Sequence, residues 1–167
     1  MSSKHAHSYL ARLAVVLLAT GLFAATGPAT AASASASDCV SGANVFIDIH
    51  DNQAGTTVRT LQIGPSAVLG SFTVTLKYAT ISGWQRGFAK LEAGRTSWPD
   101  FWMDWTTNGG GSIQVRCGPF NPYPGIPTSA SMTTPAKITS SSSSYQFRAC
   151  AGMDTEWGYW SQCTSWW

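Results

Sequence analysis

The chain of 167 residues is long enough for one domain, and its 44% hydrophobic content is sufficient for an ordinary core. It has ten basic and eight acidic residues, and two of the basic ones, Lys4 and Arg12, lie close to the N-terminus. Without those two the remainder has eight of each sign and no net charge. This balance argues against nucleic-acid binding and against an anionic-membrane patch, both of which need a net basic face.

Residues 1–31 have the organisation of a Sec signal peptide. A mildly basic start precedes the apolar run Leu13 to Ala25, which is too short to span a bilayer comfortably, and Ala29-Thr30-Ala31 supplies small residues for cleavage. We therefore expect a secreted, extracellular protein. Residues 32–38 are mostly Ala and Ser and predict a flexible leader, which leaves residues 39–167 as a single domain.

All four cysteines follow the predicted signal peptide, and an even number in an exported chain favours disulfides. Three pairings are possible. We predict Cys39–Cys117, which ties the start of the domain to its central hairpin, and Cys150–Cys163, which closes a short loop near the C-terminus. No Cys-x-x-Cys spacing supports zinc, so neither a metal nor a cofactor is expected.

Short runs that alternate with period two, or that are rich in β-branched residues, predict strands at Asn44–His50, Thr56–Ile63, Ser71–Thr80, Trp84–Glu92, Met132–Ile138 and Tyr145–Cys150. The four prolines of residues 118–127 predict an extended crossing, and residues 151–161 a loop. With the central hairpin, these elements predict an all-β fold: an antiparallel β-sandwich or barrel of seven to eight short strands with two disulfides.

The tryptophan-rich stretch from Trp98 to Phe120 predicts that central hairpin. Alternation places its core-facing side chains at Phe101, Met103, Trp105, Ile113, Val115 and Cys117. Trp102 and Asp104 then belong to the opposite face. We expect Trp102 to be exposed there, and Asp104 to pair with an arginine across the sheet, such as Arg86, Arg95 or Arg116.

Eight tryptophans, all after the signal peptide, exceed what a domain of this size needs for packing. Exposed Trp and Tyr side chains are typical of interface anchors and of platforms that stack on sugars. The candidate binding residues are Trp98, Trp102, Trp157, Tyr159 and Trp160.

Support for catalysis is weaker. His50 is the only histidine after the signal peptide, and neither a nucleophile elbow nor a His-Glu-x-x-His pair accompanies it. The interpretation we adopt is that Asp48 and His50 form a solvated strand end. Glu92 with Asp100 or Asp104 supplies the carboxylate pair of a small secreted hydrolase, which stays an alternative to a non-enzymatic protein.

Five segments together resemble small secreted proteins of actinomycetes: Trp84–Lys90, Trp102–Trp105, Val115–Phe120, Tyr145–Cys150 and Cys163–Trp167. The resemblance covers residues 39–167 and extends to the small adaptor subunit of the umbrella toxin particles of Streptomyces. It implies a non-enzymatic adaptor that docks partner proteins, a lectin-bearing subunit and a toxin-bearing stalk, in an extracellular antibacterial complex. It also implies that residues 32–38 act as an arm that inserts into a partner. The residues themselves leave open a carbohydrate-binding module, and a protease inhibitor that uses the loop from Pro119 to Pro127.

Overall fold

A computed structural model of the chain describes residues 36–122 and 126–167, which form two antiparallel sheets packed as a sandwich. The predicted signal peptide and residues 32–35 of the predicted leader lie outside the described residues. In the part that is described, no helix is long and apolar enough to cross a membrane. The predicted all-β class and sandwich architecture are confirmed.

Nine strands are present among these residues. In chain order they are β1 (Thr56–Ser66), β2 (Gly70–Ile81), β3 (Trp84–Leu91), β4 (Asp100–Thr106), β5 (Val115–Phe120), β6 (Met132–Thr133), β7 (Lys137–Ile138), β8 (Gln146–Thr155) and β9 (Gly158–Cys163). Two short 3-10 turns, Ala36–Asp38 and Ala43–Val45, precede them.

Sheet 1 has the strand order β1-β2-β3-β6, with β7 also paired to β3, and sheet 2 has the order β5-β4-β8-β9. Their inner faces meet in one core, to which sheet 1 contributes Phe72, Val74 and Leu76, and sheet 2 contributes Phe101 and Phe147. Each of these side chains is almost fully buried, so each contributes roughly 1.5–3 kcal/mol to folding. The alternation that assigned Phe101 and Met103 to the core face of β4 is therefore confirmed.

Both predicted disulfides are confirmed. Cys39–Cys117 has a Cα–Cα distance of 5.3 Å and fastens the first 3-10 turn to β5. Cys150–Cys163, at 4.0 Å, joins directly opposite residues of β8 and β9. Two disulfides indicate an oxidising, extracellular environment.

The predicted strand at Asn44–His50 is wrong. Asn44 and Val45 have φ angles of 50° and 64°, a left-handed conformation that interrupts an extended strand. Ile47 makes only an isolated bridge to Ala136. His50 is exposed at the end of this segment.

The predicted loop at residues 151–161 is also wrong. β8 continues to Thr155, which pairs with Gly158 at the start of β9, so that the chain turns through Glu156 and Trp157. Gly158 has a φ of 110°, which only glycine adopts readily. In the central hairpin, Ile113 is exposed rather than part of the core, because β5 begins only at Val115.

Candidate functional site

The face of sheet 2 that points away from the core carries the unusual chemistry of this protein. Alternate side chains of β4 point to opposite faces of the sheet. Phe101 and Met103 lie in the core, and Asp100, Trp102 and Asp104 lie on this outer face. Strand register then decides the neighbours of each outer side chain, because directly opposite residues share a face. Asp104 lies opposite Arg116 of β5 and also opposite Arg148 of β8.

Asp104 is fully buried between those two arginines. Its Oδ1 accepts a hydrogen bond from Arg116 Nε at 2.9 Å, and its Oδ2 accepts from Arg148 Nε at 2.9 Å. Arg148 Nη2 lies 2.9 Å from the same Oδ2. The prediction that Asp104 pairs with an arginine across the sheet is confirmed for Arg116, and Arg148 is a second partner. Both guanidinium groups stay partly exposed above the carboxylate.

Trp102 lies on the predicted face, but the prediction that it is exposed is wrong: only 4% of its surface is accessible. The Arg116 guanidinium covers its ring, with Cζ 5.0 Å from the ring centroid. The position opposite Trp102 on β8 is Cys150, whose disulfide to Cys163 stands beside the ring. Gly118 packs closely against this residue, because a Cβ there would lie 2.7 Å from Trp102 Cβ.

A cleft of about 470 Å³, which we call the Trp98 cleft, lies where the β1–β2 turn of sheet 1 approaches the start of β4 and the end of β8 in sheet 2. Its walls are the β1–β2 turn with Val68, the segment before β4 with Ser97 and Trp98, and the end of β8 with Asp154. Asp100 also lines it. An exposed indole beside two carboxylates is suited to a ligand that combines an apolar surface with hydrogen-bond donors.

Tyr159 connects the Trp98 cleft to the rest of the outer face. Its hydroxyl donates a hydrogen bond to Asp100 Oδ2 at 3.3 Å. The ring crosses Gly152, where a Cβ would lie 2.6 Å from the hydroxyl oxygen, so a larger residue would obstruct it. Burial raises the pKa of Asp100, against the effect of hydrogen bonds from Tyr159 and Asn121. Burial, and then the charge of Asp100, raise the pKa of Tyr159 to about 12, so the phenol remains a donor at neutral pH.

The five candidate binding residues separate into two groups. Trp98, Trp157 and Tyr159 are 43%, 83% and 53% exposed. Trp157 is at the tip of the β8–β9 hairpin, three residues after Asp154 of the cleft.

Of the other two, Trp102 is buried and Trp160 is half-buried. Trp160 packs edge-on against Phe72 with 6.1 Å between ring centroids, because its position on β9 places it on the inner face of sheet 2. Sequence reasoning missed Trp84 as a surface residue; it is 60% exposed at the start of β3. Its position next to the Ser82-Gly83 turn was the available signal.

The carboxylates proposed for a hydrolase do not share a site. Glu92 forms an ion pair with Lys77 at 3.2 Å and accepts a hydrogen bond from Thr75 at 2.8 Å on the outer face of sheet 1. Asp100 and Asp104 lie on the outer face of sheet 2, with the core between the two faces. The predicted pair of Glu92 with either aspartate is therefore wrong.

One group of three potential metal ligands occurs among the described residues: Asp104, Cys150 and Cys163, whose ligand atoms lie within 4.8 Å of one another. Both sulfurs belong to a disulfide, and both carboxylate oxygens are bound by arginine. These groups have no remaining capacity for a cation, since a metal requires thiolate and an unpaired carboxylate.

The chain matches no protein-family model, no curated protein and no solved structure.

Proposed function

We propose that this chain is a non-enzymatic, secreted binding protein that docks a partner protein on the outer face of sheet 2. The observation that carries the proposal is the exposure of Trp98, Trp157 and Tyr159 together with two clefts, one lined by Trp98 and the other by Tyr159, beside strands that a disulfide fastens. Exposed Trp and Tyr beside a pocket are the side chains that contribute most to protein interfaces.

The rigidity of this face supports the same proposal. Cys150–Cys163 cross-links β8 to β9, and Tyr159 is held by its hydrogen bond to Asp100. A surface that is ordered before binding loses less conformational entropy when it binds, which raises affinity. The resemblance to adaptor subunits makes a subunit of an extracellular toxin complex the partner to test first.

A carbohydrate ligand is the second candidate, and the lining of the Trp98 cleft favours it. Asp100, Asp154 and Thr96 surround the indole of Trp98 with hydrogen-bonding groups. Sugars are bound by aromatic rings that stack on their apolar faces while carboxylates and hydroxyls bind their hydroxyl groups.

The test uses the tagged full chain, secreted from its own host, and asks which proteins of the medium purify with it. We expect Trp98→Ala combined with Trp157→Ala to abolish recovery of the partner, because two truncated anchors of about 2 kcal/mol each weaken binding roughly a thousandfold. Trp84→Ala is the matched control, because Trp84 is comparably exposed but lies on sheet 1.

The proposal would be contradicted if the unsubstituted chain, the Trp98→Ala/Trp157→Ala double variant and Trp84→Ala all recovered the partner equally. It would also be contradicted if Trp84→Ala lost the partner as completely as the double variant. In a parallel experiment the purified chain is passed over chitin and cellulose. Retention that needs Trp98, with no protein partner in the medium, would favour the carbohydrate ligand instead.

A further inference from the structure

A second cleft, of about 320 Å³, lies on the outer face of sheet 2 on the other side of Tyr159 from Asp100. We call it the arginine cleft. The lining residues that matter here are Trp102, Arg116, Arg148 and Tyr159. The disulfide residue Cys163 forms part of its wall.

The arginine cleft carries excess positive charge. Arg116 and Arg148 share the single carboxylate of Asp104, which is buried below them, so the three groups have a net charge of +1. Asp104 uses only Nε of Arg116, and Nε and Nη2 of Arg148. Asp104 leaves the two terminal nitrogens of Arg116 and Nη1 of Arg148 unused, and both side chains are partly exposed.

Trp102 lines the same cleft. Its Nε1–H is buried and has no hydrogen-bond partner in the described part of the chain, which is unusual for a buried polar group. An acceptor that entered the cleft would bind the guanidinium N–H groups and would lie beside the Trp102 ring, so the indole N–H resonance should report its binding.

We propose that the arginine cleft binds a carboxylate from an acidic segment of the partner protein. Arginine is suited to this ligand because its planar fork of donors matches a carboxylate. Asp104 already binds both guanidinium groups from below, with one carboxylate oxygen to each at 2.9 Å. The proposal rests on the proposed function and adds the chemistry of the partner.

The neighbouring Trp98 cleft determines the orientation in which that partner docks. Asp100 and Asp154 line the Trp98 cleft, and Tyr159 separates it from the arginine cleft. An acidic side chain is therefore attracted at one end of the outer face and repelled at the other. Such an arrangement of charges selects one orientation of a partner and excludes others.

The experiment titrates ¹⁵N-labelled chain, and follows the indole N–H resonance of Trp102, which Trp102→Phe identifies by its disappearance. The probes are a short capped Gly-Glu peptide, the same peptide with Gln for Glu, and sodium sulfate, all at one ionic strength. We expect a saturable shift of the Trp102 resonance with the Glu peptide alone. Arg116→Gln should weaken that binding about tenfold, the effect of losing one charge-assisted hydrogen bond.

Arg116→Lys accompanies Arg116→Gln because it keeps a cation beside Asp104 and so protects the fold. Arg116→Lys should also weaken binding of the Glu peptide, since an ammonium lacks the planar fork of donors. Equal shifts with the Glu and Gln peptides, or affinity unchanged in both variants, would overturn the proposal. A shift with sulfate but not with the Glu peptide would overturn the assignment to a carboxylate.

This result is separable from the proposed function. If the secreted chain still recovers its partner through Trp98 while the Glu peptide does not bind, only the arginine cleft assignment fails. If the peptide binds but Trp98→Ala and Trp157→Ala leave partner recovery unchanged, the docking surface fails and the anion site remains.

Discussion

Replacing Asp104 by asparagine should destabilise this domain severely. The carboxylate is fully buried and makes contacts of 2.9 Å with Arg116 and with Arg148. Removing one partner of a buried ion pair costs about 3–5 kcal/mol. Because the two guanidinium groups are partly exposed and water can replace some of the loss, we expect the lower end of that range, about 3 kcal/mol. For a domain of this size that corresponds to a fall in Tm of roughly 10 °C.

Urea unfolding of the oxidised protein at pH 7 measures this loss. Asp154→Asn is the matched control, because it makes the same chemical change at an exposed position of the same sheet and should alter stability by no more than about 0.5 kcal/mol. A loss below about 1 kcal/mol for Asp104→Asn would refute the reasoning. It would mean that the two arginines are stabilised mainly by water and not by the buried carboxylate.

Three further sets of substitutions test the packing of Tyr159, the two disulfides and the burial of Asp100. Gly152→Ala should cost about 1–3 kcal/mol in urea unfolding, because its methyl group meets the Tyr159 hydroxyl at 2.6 Å; unchanged stability would contradict the packing described. Replacing both cysteines of Cys39–Cys117 by serine should cost roughly 4.5 kcal/mol, and the same change at Cys150–Cys163 roughly 3, since the first closes 78 residues and the second 13; the reverse order would be unexpected. Asp100 has a folded pKa above its ordinary value of 3.8, so it favours folding while protonated and that contribution is lost as the pH rises through the window above 3.8. Asp100→Asn should abolish this loss in unfolding measurements from pH 3 to 7, and an unaltered pH profile would contradict the burial of Asp100.

The sequence was sufficient for the features that local alternation and covalent chemistry determine. The strand at Ser71–Thr80 was predicted because apolar side chains alternate over its whole length, and β2 covers residues 70–81. The disulfides were predicted because Cys150–Cys163 closes a short loop near the C-terminus and Cys39–Cys117 ties the start of the domain to the central hairpin. Asp104 was expected to pair with an arginine because an acid on a largely apolar strand requires a counterion.

The errors have a different origin. Alternation assigned Trp102 to the correct face but did not show that Arg116, from the next strand, covers it. The exposure of a side chain on a sheet face depends on how long the side chains of the neighbouring strands are. Strand order determines which residues those neighbours are. Asn44–His50 alternates as a strand does, yet the left-handed backbone at Asn44 and Val45 prevents one.

The candidate site was predictable only in part. Trp98 and Tyr159 were expected at a binding surface, but the hydrogen bond that joins Tyr159 to Asp100 of the Trp98 cleft depends on the β8–β9 hairpin, for which residues 151–161 gave no clear alternation. Arg116 was one of the arginines expected to pair with Asp104. That it shares Asp104 with Arg148, and so leaves donors for a ligand, follows from the register of three strands and not from the sequence pattern.

Hydroxyl-radical footprinting of the native complex, compared with the isolated chain, tests the docking surface most directly. Our account predicts that Trp98, Trp157 and Tyr159 become protected from oxidation in the complex, while Trp84 on sheet 1 reacts as before. Protection of Trp84 with no change at Trp98 and Trp157 would contradict the assignment of the docking surface to the outer face of sheet 2.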